Sequence, residues 1–157
     1  MATQALTVPF FSHGGTLSPE AVEIDTGHSP AIGQAVLLVA GKIQDVAADP
    51  NKIAGIAAEA GVAGEFIKYR RIKKGDRLVL PLYSATPGAA VTARSQLHVQ
   101  YGVIPHADNT EILAVDIDDA VNTRVEIVGF WADHDPVEAI GDLNGRVEVE
   151  VMEAYLQ

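Results

Sequence analysis

The chain contains no cysteine, and that one absence removes disulfide scaffolds, thiolate zinc sites and thiol catalysis together. Basic residues are scarce. Eleven Lys and Arg stand against 21 Asp and Glu, a net charge of −10, so most of the surface repels a phosphate backbone and no nucleic-acid partner is expected. Long apolar runs are also missing. The longest, Ala35 to Ala40, is far too short to cross a bilayer, and Met1 to Phe11 lacks the positive start and sustained apolar run of a signal peptide. These absences predict a soluble chain with no membrane partner and no cleaved export signal.

Catalytic motifs are absent in the same way. No G-x-S-x-G elbow, Walker loop or G-x-G-x-x-G occurs, and Gly14-Gly15 and Gly61 to Gly64 are too sparse to cradle phosphate. The five histidines, at 13, 28, 98, 106 and 134, include neither an i, i+4 pair nor an H-x-H. Asp133-His134-Asp135 is the one local cluster able to hold a cation. Its place between Trp131 and Pro136 reads as a solvated turn with an Asx cap. Asp116, Asp118 and Asp119 read as a charged turn after a strand rather than as an acid–base pair. Lys68, Arg70, Arg71, Lys73 and Lys74 form the one basic cluster, either a solvated strand end or a docking patch for an acidic partner. The sequence thus predicts no catalytic residue, cofactor or metal, and a protein that acts through its surfaces.

What is present is one domain's worth of chain. Its 157 residues are 48% hydrophobic, much of it Ala and Val, a composition that favours sheet over a Leu-rich bundle. Residues 1–33 are broken by Pro9, Pro19, Pro30 and four glycines, and only Ala21 to Ile24 alternates. They read as an extended arm whose Phe10 and Phe11 either tuck onto their own domain or anchor on a neighbour. Residues 34–157 read as a compact β domain.

Strands are expected at Gln34–Ala40, Lys42–Ala47, Gly64–Arg70, Arg77–Tyr83, Leu97–Val103, Ile112–Ile117 and Asn122–Trp131, the last being the longest. Pro81 places Arg77–Tyr83 at a sheet edge. In Arg146–Val151 the three valines face one way, with Arg146, Glu148 and Glu150 facing the other. The preceding Asn144-Gly145 predicts a type I′ hairpin turn pairing that strand with residues 135–141 or 122–131. Residues 49–61 fit a helix with Asp49 as N-cap, and fit equally a strand through Ile53 to Ala57. The fold class is all-β, a small sandwich or barrel preceded by an extended arm.

The run Asn51 to Gly61, with Ala63-Gly64-Glu65 and Lys74-Gly75-Asp76, resembles head-decoration (capsid cement) proteins of tailed bacteriophages and related prophage head proteins. Those proteins often have a Pro/Gly-interrupted arm before a compact β domain. The resemblance implies a structural virion protein, made in the host cytoplasm, that binds the outer capsid surface and reinforces it against packaged DNA. It implies the major capsid protein as partner and self-association, commonly as a homotrimer. The candidate subunit or capsid contacts are then Val8, Phe10, Phe11, Val22 and Ile24 of the arm, with Arg70, Lys73 and Lys74. Two alternatives stay open. One is a carbohydrate-binding or tail-associated β module using Trp131, Tyr83 or Tyr101 as a stacking platform. The other is a small trimeric nucleotide hydrolase, although no Gly-x-x-Asp-x-x-Tyr signature is present.

Overall fold

The computed structural model describes residues 2–46 and 52–157. Within them the chain is all-β, with three single-turn 3₁₀ segments at Arg94–Gln96, Trp131–Asp133 and Glu153–Tyr155. The first seven strands are β1 (Phe10–His13), β2 (Val22–Glu23), β3 (Ala35–Val39), β4 (Lys42–Asp45), β5 (Gly55–Ala57), β6 (Phe66–Ile67) and β7 (Tyr69–Arg71). The other five are β8 (Arg77–Tyr83), β9 (Gln100–His106), β10 (Asn109–Asp116), β11 (Val125–Phe130) and β12 (Arg146–Val151).

The last five strands close on themselves. β8 pairs antiparallel with β12, β12 with β11, β11 with β9 and β9 with β10. β10 then returns to β8 in parallel, with Val115 opposite Leu82. Closure removes free edges, and alternation fills the interior. Leu78, Leu80 and Leu82 of β8 meet Val115, Ile127, Val147 and Val149 in one buried cluster. Phe130, 1% exposed, belongs to the same cluster.

β8 is therefore central, not an edge strand, and the reason lies in Pro81. The Leu82 N–H donates to the Gly145 carbonyl on the β12 side at 3.0 Å. Because backbone donors alternate between sides, the N–H that Pro81 lacks belongs to the opposite side. There β1 has ended at Phe10↔Val79 and β10 pairing starts only at Leu82. The proline occupies the hand-over between two short partners, where no ladder bond is lost.

A second sheet, in the order β4-β3-β5-β7, lies against the barrel. Ala35 and Ile56 join the barrel cluster, while Val36, Ile43, Ala57, Ile67 and Tyr69 form a second core with Ile24. Burial on both faces erases the two-residue alternation, which is why this layer reads as runs of Ala, Val and Ile. Residues 55–57 are strand. A Cβ on Gly55 would sit 2.0 Å from the Arg70 carbonyl oxygen, so β7 approaches too closely for any side chain there. The expected N-cap at Asp49 lies outside the described residues.

Other expectations need correction. The type I′ geometry falls at Ala40-Gly41, with φ of 49° and 77°, between β3 and β4. Asn144 has φ 56° but Gly145 is not in the left-handed region, and β12 pairs with β11 across the long 131–145 connection. β11 spans six residues, starting at Val125, because the Asp119 carboxylate holds the Val121 and Asn122 N–H groups in a turn. The longest strand is β10, with eight. β9 starts at Gln100 rather than Leu97, since Gln96 clamps the preceding turn through Ala93 N and Val91 O.

Candidate interaction surface

Residues 2–33 lie against their own domain. Thr3 forms a bridge with Leu143, and the Gln4 side-chain amide donates to Asp142 at 2.7 Å. β1 adds to β8 outside the barrel, with Phe11 packed on the barrel cluster. Leu17 bridges to Arg70 on the outer side of β7, and Ile24 bridges to Ile43 beside β4. Both edges of the second sheet are thereby covered.

These contacts sort the candidate residues. Ile24 is 1% exposed and so is not a surface contact, while Val22 is half-buried against the same core. Phe11 is half-buried over the barrel. Phe10 meets the Trp131 ring edge-on at 5.1 Å, and the Arg146 guanidinium lies 5.9 Å from that ring's centre. Trp131 is thus half-buried under the arm, away from Tyr83. Val8 stays 44% exposed and shares a groove of about 500 Å³ with Ile32, which is 61% exposed. Phe10, Phe11, Ile56 and Ala57 form the groove's apolar walls and Arg70 lies at its rim. Lys73 and Lys74 are exposed on the β7–β8 turn, and Lys74 reaches Glu153 at 3.4 Å.

Away from the groove, the acidic clusters are paired within the chain. Asp133 takes two hydrogen bonds from the Arg94 guanidinium at 2.7 and 2.6 Å, which hold its carboxyl below the usual range and push Arg94 up. Asp135 pairs with Arg146 at 3.2 Å. His134 Nε2 lies 2.6 Å from a Glu148 carboxylate oxygen, so the three residues have three different partners. Among the described residues no group of three or more His, Asp or Glu could hold a metal ion. Asp118 accepts from Ser84 Oγ and the Ala85 N–H, and Asp119 is held below the ordinary range by backbone donors from Asn122 and Val121. The acidic cluster works as a set of turn caps.

The sequence missed four buried polar groups. Glu148 does face away from the valines, but the arm and the 131–135 turn cover it, leaving 5% exposed. Its carboxylate accepts from Ser12 Oγ at 3.3 Å and has the His134 imidazole beside it. The order serine–carboxylate–histidine gives the serine no imidazole to take its proton, so this is a latch between arm and barrel, not a nucleophile. Glu138 is buried against Arg146, whose Nε lies 3.0 Å away. The Asp142 carboxyl, lowered first by the Ala139 N–H and then by Gln4, caps the turn before β12. His106 is 4% exposed beneath Tyr83. No local pattern marks these positions, because each is buried by a segment distant in sequence.

No protein-family model, curated protein or solved structure matches the chain.

Proposed function

We propose that this protein is a structural virion component that binds the outer surface of a tailed-phage capsid, with the major capsid protein as partner, and stabilises the shell as a homotrimer. The observation that carries the reading is the groove along the N-terminal arm, where Val8 and Ile32 present apolar surface beside Arg70. With β8 internal to its sheet and both edges of the second sheet covered, neither of these offers a site for strand addition. Side chains in the groove make the contact instead. Burying the exposed parts of Val8 and Ile32 contributes about 2 kcal/mol per copy. Three linked copies raise the avidity far above that of one. The acidic remainder of the surface is compatible with an outer-face location that does not hold DNA.

The test mixes purified protein with undecorated phage heads, followed by sedimentation and electron cryomicroscopy. The expected result is cosedimentation at saturable stoichiometry, with density on the outer face. Protein left in the supernatant with expanded heads would remove the proposal.

A further inference from the structure

A second concave site lies at the opposite end of β8 from the basic turn. The loop after Tyr83, the β9–β10 turn and Asn144 enclose a cleft of about 340 Å³, within the usual size range of small-ligand sites. At its inner wall is His106, whose side chain is only 5% exposed. Its Nδ1 accepts the Asp108 N–H at 3.1 Å, which fixes the proton on Nε2. Nε2 has no hydrogen-bond partner among the described residues, yet it is not sealed from solvent, and the cleft is where this ring meets open space. Burial depresses the imidazole pKa, with Asp108 opposing, so the ring is a neutral donor at neutral pH.

The remaining lining defines the ligand's chemistry. Tyr83, which holds His106 edge-on at 5.1 Å, and Pro87 supply apolar surface. Thr86, Asp108 and Asn144 add donors and acceptors, and the Asp108 side chain is 81% exposed at the rim. No Lys or Arg lines the cleft, so an anion would meet only the Asp108 charge. A single exposed carboxylate does not make a cation site. A sugar ring is a neutral ligand that uses donors, acceptors and a flat apolar patch together.

We infer that the cleft binds one sugar residue, with His106 Nε2 donating to a hydroxyl, Asp108 accepting from another and the C–H face of the ring lying along Tyr83 and Pro87. This rests on the cleft alone and is independent of the capsid proposal.

The experiment titrates the ¹⁵N-labelled full chain with the methyl glycosides of glucose, galactose, N-acetylglucosamine and rhamnose, and separately with inorganic phosphate. At least one sugar is expected to give saturable shifts in the amides of residues 83–88 and 106–108 and in the His106 imidazole, with millimolar affinity. Asp108→Ala, at an exposed side chain, should weaken binding about tenfold by removing a charged acceptor. Thr86→Trp should block it by filling the cleft. His106→Gln tests the donor but alters a buried site, so the two surface variants decide. No saturable shift with any of the four sugars, shifts mapping elsewhere, or unchanged affinity in both surface variants would overturn the assignment. So would phosphate binding in the cleft more tightly than any sugar.

Discussion

The barrel and the layer laid over it are built from similar residues and held by different means. In the barrel, strands of six to eight residues each put one face inward, and the ring closes on itself except along residues 77–79 of β8, where β1 of the arm completes the ladder. In the outer layer the strands are two to five residues long, and its central pair, β3 and β5, is buried on both faces. The layer's edges are completed by single bridges from residues 17 and 24. The difference teaches where the chain can move surface toward a partner. The barrel exposes apolar residues on its connections, at Val121 and Val137, whereas Val8 and Ile32 are open together in one groove where the layer joins the arm.

The largest expected effect sets the two regions against each other. Phe130→Ala should lower stability by about 3–5 kcal/mol and remove hydrogen-exchange protection throughout the chain. Ile43→Ala, about 2–5 kcal/mol by the same reasoning, should expose amides of β3 to β5 while β11 and β12 stay protected. Equal loss of barrel protection in both variants would mean one cooperative unit and dissolve the distinction.

The next effect tests what anchors the 131–145 connection to the barrel. Glu138→Ala removes the buried partner of Arg146, leaving it the part-exposed Asp135 alone, and should lower stability by about 3 kcal/mol in urea unfolding. Asp133→Ala breaks the exposed Arg94 pair and should leave the unfolding midpoint unchanged.

Acid sharpens the comparison further. The depressed His106 pKa means the folded chain binds that proton less readily than the unfolded one. Its contribution is complete above about pH 6.5 and is lost as pH falls through that value toward the folded pKa. Asp25, Asp119, Asp133 and Asp142, also depressed, contribute above about pH 4 and lose that contribution as pH falls through their folded values. Thermal unfolding from neutral to acid pH should therefore decline in two stages, and His106→Gln should abolish the first.

The smallest effect concerns one turn. Ala40 sits at φ 49°, where an alanine is strained, so Ala40→Gly should raise stability by about 0.5–1 kcal/mol in urea unfolding.

How much of this was legible follows from the same division. β8 and β12 could be read to the residue, β8 as an apolar run that starts after the Gly75-Asp76 turn and β12 from its strict alternation of valines with charged residues. The rule that sends proline to an edge failed at Pro81 because its missing donor falls between two partners, a fact set by strands 70 and 35 residues away in sequence. The Asn-Gly dipeptide promised a tight turn that Ala40-Gly41 forms instead, since strand pairing outweighs local preference at φ 49°. Of the candidate contacts, Val8 and Arg70 line the groove as exposed residues, while Ile24 is core. A branched apolar residue on a broken segment looks the same in either place. His106 and Glu148 were invisible because each is covered by a distant loop.

The most direct measurement is binding of Val8→Asp and Ile32→Asp, singly and together, to undecorated phage heads. Both side chains are exposed, so folding should be unchanged within about 0.5 kcal/mol. A chain lacking residues 1–20 is a poorer probe, because it also removes β1 and uncovers Glu148. The account expects each single variant to weaken binding at least tenfold and the double variant to abolish it while the melting temperature holds. Full binding by the folded double variant would contradict it and place the adhesive surface elsewhere on the molecule.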